Sequence, residues 1–194
     1  MLNLSRKINF QEISLNELQK ISLLKNPADA VATVTLPEWP LLKAEELKNK
    51  FSILLDGVQD PGNMGTIIRT ADWFGIKNVI CSKDTVDVYN PKVVQATMGS
   101  LARVRLTYCD LNEFLHQSEL PAYGALLNGD NIYQTDFGTE GFLIMGNEGN
   151  GISAEIQQLI SHKVTIPRIG EAESLNVAIA TAIFCSEACG KTFK

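Results

Sequence analysis

The chain is poor in the residues that build metal centres and disulfide frameworks. Its 194 residues include only four cysteines and two histidines. No two cysteines have the Cys-x-x-Cys spacing of a zinc site. Cys185 and Cys189, four residues apart in an apolar helical pattern, are typical of small buried side chains. We therefore expect neither a bound metal ion nor disulfide bonds.

Long apolar runs are also absent. Runs such as residues 142–145 are too short to span a bilayer, and the first residues lack the basic and then apolar pattern of a signal peptide. These two absences predict a soluble, cytoplasmic protein that makes no membrane contact.

Positive charge is not in excess either. Seventeen Lys and Arg residues against 22 Asp and Glu residues give a net charge of −5. Because proteins that bind nucleic acids are usually basic, this balance disfavours such a partner, although it leaves room for a local basic patch.

The patterning predicts a small N-terminal unit before one larger domain. Ser14 and Glu17 have capping-box spacing at the start of a helix over 14–25, and residues 30–36 alternate like a strand. Pro37 and Pro40 then break the chain. We assign 1–40 to the N-terminal unit, 41–50 to a short charged helix or linker, and 51–194 to the main domain.

Strands and helices alternate along the main domain. Apolar runs predict strands at 51–56, 78–82, 104–108, 122–127, 142–145 and 163–166. Helical patterns lie at about 62–74, 91–98, 111–117, 153–161 and 174–189. This alternation predicts an α/β fold with a mostly parallel sheet and helices on both faces, in which ligands bind beyond the carboxyl ends of the strands.

Polar residues and glycines gather after three of these strands. In residues 55–71, Asp60 and Pro61 suit a helix start, whereas Asn63 and Arg69 have no such structural explanation. Arg69 taken alone is more often a solvated helix charge. In the third segment, residues 166–183, Ser174 is as well explained by a helix N-cap as by a functional role.

The second segment, residues 142–153, runs from a strand into a loop with three glycines. Glycines let a ligand approach the backbone or simply let the chain turn. The loop lacks the lysine of a phosphate-binding loop, which disfavours a nucleotide-using α/β enzyme.

Together, these segments resemble the SpoU family of the SPOUT superfamily, the ribose 2′-O-methyltransferases of tRNA and rRNA. The first motif is matched by Asn63, Gly65 and Arg69, the second by residues 146–153, and the third by residues 166–167 and 174–177. Residues 90–104 resemble a further family stretch, and the similarity covers 51–190.

The resemblance implies an α/β domain with a deep C-terminal trefoil knot that binds S-adenosylmethionine. It also implies a homodimer whose active site crosses the interface, and this arrangement would cover the apolar helix at 174–189. The family usually has a larger N-terminal substrate-binding domain, of which residues 14–36 resemble only the second half.

The resemblance also assigns roles to residues. Arg69 is the candidate phosphate clamp and alkoxide stabiliser, because a guanidinium rarely loses its proton, and Asn63 would place the RNA phosphate or the arginine. The other catalytic candidates are Glu148, Ser174 and Asn176. The cofactor candidates are Leu126, Leu127, Asn128, Gly129, Met145, Gly146, Asn147, Ile166, Leu175 and Asn176. The RNA-binding candidates are Arg69, Lys92, Thr97, Arg103 and Arg168.

The leading hypothesis is therefore methyl transfer from S-adenosylmethionine to a ribose 2′-hydroxyl of tRNA or rRNA, with no role for DNA. The alternative is a non-catalytic RNA-binding module on the same knotted scaffold. The sequence does not distinguish tRNA from rRNA.

Overall fold

The computed structural model describes residues 10–22, 26, 29–37, 39, 42 and 44–190. The chain divides into two compact units, residues 1–38 and 39–194. None of the helices in the described ranges combines the length and apolarity needed to cross a membrane.

The first unit contains the helix α1, Leu15–Ile21. The predicted capping box is confirmed, since the Glu17 amide donates to Ser14 Oγ and the Ser14 amide donates to Glu17 Oε2 at 2.8 Å. The helix ends earlier than predicted because Ser22 has an extended backbone. Residues 23–25 of the predicted helix lie outside the described residues.

The strand predicted at 30–36 is wrong. These residues have no regular structure, and Val31, Val34 and Leu36 are exposed. A strand needs a partner to satisfy its ladder of hydrogen bonds, and the described part of this unit offers no second strand. An alternating pattern in one segment therefore does not show that a partner strand exists.

The second unit is built on six parallel strands, as far as the described residues extend. The strands are β1 Phe51–Asp56, β2 Asn78–Ser82, β3 Arg105–Cys109, β4 Ala122–Asn131, β5 Gly141–Gly146 and β6 His162–Thr165. Their order across the sheet is β3-β2-β1-β5-β4-β6. The helices are α2 Pro61–Trp73, α3 Pro91–Ala96, α4 Leu111–His116, α5 Ala154–Gln157 and α6 Val177–Gly190. Short 3₁₀ helices lie at Ala44–Leu47, Ser100–Ala102 and Ile132–Gln134.

The central strands β1, β2 and β5 are buried on both faces, as their continuous apolar runs predicted. Ile53 and Leu55 of β1 pack in one core cluster, whereas Leu54 between them packs in the other. The first cluster includes buried residues of α2, α3 and α6, and the second includes those of α4 and α5. Helices therefore cover both faces of a wholly parallel sheet, which confirms this part of the fold prediction.

In the second unit, three element boundaries differ from the prediction by three residues or more. α6 begins at Val177 rather than 174, because Asn176 caps it. α5 ends at Gln157, since the chain turns there toward β6. β4 continues beyond 127 because it resumes pairing with β6 at Asp130, after a register shift that starts at Ala125.

The strand order creates a switch point between β1 and β5. From β1 the chain continues through α2 to β2 on one side, and from β5 it continues through α5 to β6 on the other. Ligand sites in open α/β sheets lie beyond the carboxyl ends of such strands. The first and second glycine-containing segments meet at this point.

Candidate functional site

The glycine loop after β5 is closed by its own asparagine. The Asn147 amide and carbonyl both bond to Gly151, at 3.0 and 2.9 Å, while Asn147 Oδ1 accepts from the amides of Gly149 and Asn150. Asn147 Nδ2 donates to the Gly57 carbonyl at 2.7 Å. Gly57, with φ +73°, directly follows β1 in a conformation that favours glycine. The Asn147 side chain thus joins the carboxyl ends of β1 and β5.

Glu148 fastens the same loop to the start of α2. Its carboxylate accepts from the amides of Gln59 and Asp60, at 3.3 and 3.2 Å, and from Asn63 Nδ2 at 3.0 Å. Partial burial acts to raise the pKa of Glu148, but the hydrogen bond from Asn63 and the backbone amides outweigh it and lower the pKa below its usual range. An anion at a helix N-terminus also interacts favourably with the helix dipole.

Asn63 extends this contact to the third segment. Its Oδ1 accepts from Asn176 Nδ2 at 2.8 Å. Asn176 Oδ1 in turn accepts from the amides of Ala178 and Ile179, which begin α6. The chain Glu148–Asn63–Asn176, called here the amide network, joins residues 85 and 113 positions apart in sequence.

Two predicted catalytic residues lie outside the amide network. Arg69 is exposed on α2, about two turns beyond Asn63, whose side chain bonds to Glu148 and Asn176. Ser174 is exposed in the loop before α6. The interpretation of Ser174 as the N-cap of that helix is wrong, because Asn176 accepts the first-turn amides instead.

The predicted cofactor wall coincides with the irregular part of β4. Val164 of β6 lies opposite both Ala125 and Asp130, so residues 126–129 bulge out of the ladder. The Thr165 hydroxyl donates to the Leu127 carbonyl at 3.4 Å, which holds the half-buried Ile166 near the bulge. Leu127 is 81% exposed and Leu126 half-buried. The bulge offers main-chain polar groups beside apolar side chains.

Among the other cofactor candidates, Met145, Gly146 and Gly129 have packing roles. The Met145 side chain is buried in the core. A Cβ on Gly146 would collide with the backbone of Gly151 and Ile152, and one on Gly129 with the backbone of Lys163 and Val164. Leu175 is half exposed and Asn128 exposed.

The RNA-binding candidates divide by exposure. The prediction for Thr97 is wrong, because its side chain is buried and its hydroxyl donates to the Val94 carbonyl at 2.7 Å. Arg103 is exposed but holds Asp72 at 2.8 Å. Arg168 donates to the Ala172 carbonyl within its own loop, and Lys92 is exposed at the start of α3.

Sequence reasoning missed one residue that shapes the site. Asp56, the last residue of β1, accepts from the Ser153 amide at 2.7 Å and so fixes the far end of the glycine loop. An acidic residue at the end of an apolar strand, followed by a glycine, was the available signal. Among the described residues, no group of His, Cys, Asp and Glu side chains could hold a metal ion.

Known proteins match this chain across the three motif segments. A model of the SpoU rRNA methylase family matches residues 50–186. The 23S rRNA (guanosine(2553)-2′-O)-methyltransferase of Bacillus subtilis is 33% identical over 88% of this chain and 68% of its own length.

Solved structures agree with this relationship. A proposed RNA methyltransferase of the TrmH family from Porphyromonas gingivalis superposes with a TM-score of 0.78 and 44% identity, over 88% of this chain and 70% of that one. The SpoU methyltransferase AviRb of Streptomyces viridochromogenes, solved with its cofactor AdoMet, gives 0.71 and 28%, over 80% of this chain and 67% of that one. The chain thus spans about two thirds of these relatives.

Proposed function

The chain belongs to the SpoU rRNA methylase family, and from this premise we propose that it transfers a methyl group from S-adenosylmethionine to a ribose 2′-hydroxyl of tRNA or rRNA. The observation that carries the proposal is the amide network. It joins the three motif segments beyond the carboxyl ends of β1 and β5, where a doubly wound sheet binds its ligand.

The residues at the β4 bulge and the glycine loop suit S-adenosylmethionine. Adenine is commonly held by main-chain groups and apolar contact. Residues 126–129 offer main-chain groups outside the regular ladder, and Leu126, Leu127 and Ile166 offer apolar surface. Gly146 and Asn147 would line the opposite side with Leu175 and Asn176. When bound, the cofactor supplies an electrophilic methyl group on a sulfonium.

Arg69 is the group we assign to the reacting ribose. The acceptor hydroxyl is a poor nucleophile until it loses its proton, so the site must orient it and stabilise the developing alkoxide. Arg69 is exposed, and its guanidinium stays protonated in proteins. It would clamp the RNA phosphate and stabilise the alkoxide, while water or the phosphate takes the proton.

Asn63, Glu148 and Asn176 support this chemistry by position. Their polar atoms are engaged with one another and with backbone amides. They hold the glycine loop and the start of α6 in place around the reacting groups. We therefore assign them as positioning residues for the reaction and leave Ser174 as a candidate RNA contact.

We further propose a homodimer and a C-terminal trefoil knot, as in the family. The dimer is supported by apolar side chains that this chain leaves uncovered near the third segment, since Ile169 is fully exposed and Leu175 and Ile179 are about half exposed. The domain assignment also stays a proposal, with residues 1–40 as part of a substrate-binding domain.

Calorimetric titration with S-adenosylmethionine, followed by a methyl-transfer assay on tRNA and rRNA, tests the proposal. We expect micromolar binding of the cofactor and 2′-O-methylation of one RNA. Arg69→Ala should abolish transfer and leave cofactor affinity unchanged, whereas Lys48→Ala, which removes an exposed charge before β1, should preserve both.

Two results would contradict the proposal. Absence of cofactor binding by a folded sample would favour the non-catalytic RNA-binding module. Loss of transfer and cofactor binding together in Arg69→Ala would show that this arginine supports the fold rather than the reaction.

A further inference from the structure

Trp73 is an apolar side chain without a packing role. It lies at the end of α2 and is 85% exposed, although the other large apolar residues of this helix are fully buried. Leaving an indole in water forfeits the stabilisation that its burial would bring. Both aromatic faces are therefore available to another molecule.

Trp73 shares its helix face with Arg69. Residues 62, 66, 69 and 73 recur at intervals of four, three and four, which places them on one side of a helix. Gly62, Thr66, Arg69 and Trp73 are all exposed. Because an α-helix rises 1.5 Å per residue, Trp73 lies about 6 Å farther along the axis than Arg69.

Exposed cationic residues lie on both sides of Trp73 along the chain of this acidic protein. Lys77 is exposed just beyond the helix and interacts with Asp72, and Arg103 pairs with the same carboxylate. Arg103 balances the charge of the Asp72 carboxylate, and the exposed Arg69 and Lys77 leave a net positive charge near Trp73. An aromatic ring among cations is the combination that binds single-stranded nucleic acid.

We propose that Trp73 stacks on a nucleobase flanking the methylated nucleotide, while the cations around it hold the adjoining phosphates. This inference rests on the proposed function, since it names how the same RNA is held beyond Arg69. A second copy of the chain is a poorer occupant. A two-fold interface whose axis passed through this face would set Arg69 and Lys77 against their own copies.

The chain offers a direct spectroscopic test, because its only two tryptophans are Trp39 and Trp73. In a Trp39→Phe protein, all tryptophan emission comes from Trp73. We expect a 12-residue oligoadenylate at low salt to quench this emission, and an abasic oligomer with the same number of phosphates to leave it unchanged. The comparison separates stacking from attraction to the backbone.

Affinity measurements complete the test. Trp73→Ala should weaken oligoadenylate binding about 5- to 150-fold, the loss expected for one stacked base, whereas Trp73→Phe should retain most of the affinity. The S-adenosylmethionine affinity of both variants should equal that of the wild type. Equal affinity of Trp73→Ala and the wild type for the RNA would overturn the inference, as would emission that responds to protein concentration instead of RNA.

The proposed function fails separately. It fails if the wild-type protein neither binds S-adenosylmethionine nor methylates RNA, whatever the emission of Trp73 shows. If the wild type methylates RNA and Trp73→Ala binds and methylates it equally well, only the stacking inference is lost.

Discussion

Asn63→Asp tests the amide network with almost no change in side-chain shape. Asn63 donates to Glu148 through Nδ2 and accepts from Asn176 through Oδ1, so this position needs a donor and an acceptor in one side chain. A carboxylate keeps the acceptor and loses the donor. It also brings a negative charge to where Nδ2 lies 3.0 Å from Glu148 Oε1.

The cost of this substitution follows from those contacts. Two unit charges at that separation repel by about 1 kcal/mol in water and about 5 kcal/mol at an effective dielectric constant of 20. Glu148 is exposed, so the lower end applies. Losing a hydrogen bond to a charged group adds about 1–2 kcal/mol at such a site. We expect the free energy of unfolding to fall by about 2–3 kcal/mol at pH 7.

The stability lost in Asn63→Asp should depend on pH in a definite direction. Repulsion raises the folded-state pKa of the introduced carboxyl group above its unfolded value, so the deficit is full at pH 7 and shrinks as the pH falls through that raised pKa. A protonated carboxyl can again donate to Glu148. Urea unfolding of the variant and the wild type at pH 7 and at about pH 5 measures the deficit at both pH values.

Thr66→Asp is the matched control, since it adds the same charge to an exposed position one turn farther along α2. We expect its unfolding free energy to stay within about 0.5 kcal/mol of the wild type, as for most surface substitutions. A deficit that is the same in both variants, or that does not depend on pH, would refute the role given to the amide network.

Two further substitutions test the loop that the network holds. Glu148→Gln should lower the unfolding free energy by about 1–2 kcal/mol at pH 7. Because the folded-state pKa of Glu148 is lowered, this difference from the wild type should disappear as the pH falls through the lowered pKa. A difference that persists in acid would contradict the role assigned to the Glu148 carboxylate. Gly146→Ala should lower the melting temperature or prevent folding, because its Cβ would meet backbone that cannot move aside, whereas Gly170→Ala, with open space around it, should melt like the wild type. Equal melting temperatures for the two glycine variants would show that the loop can relax.

The central strands of the sheet were predictable from the sequence because both of their faces are buried. Continuous apolar runs mark such strands, and β1 and β2 have the predicted ends. The failed strand at 30–36 shows the limit of this signal, since alternation describes a surface and not the partner that a strand requires. Helix ends were harder to predict because more than one residue near an end can act as the cap. Ser174 and Asn176 both suit an N-cap, and only the structure shows that Asn176 accepts the first amides of α6.

The site was predictable in its residues but not in its contacts. The motif positions, taken from a resemblance, include the three residues of the amide network. Their contact depends on β1 and β5 being neighbours, and a pattern of alternating strands and helices allows many strand orders. Burial of a single polar side chain was also not predictable from the sequence. Thr97 was expected to contact RNA, but its hydroxyl bonds within its own turn.

The contacts also divide the motif residues by what each is able to do. A side chain whose polar atoms are satisfied by the protein cannot bind a ligand without breaking those bonds, at a cost of about 1 kcal/mol or more for each. Asn63, Asn147 and Glu148 are in that position. Arg69 is exposed and lies outside the amide network, so it can meet a phosphate and a developing alkoxide at no such cost. Loss of Asn63 should therefore weaken folding and transfer together, whereas loss of Arg69 should remove transfer alone.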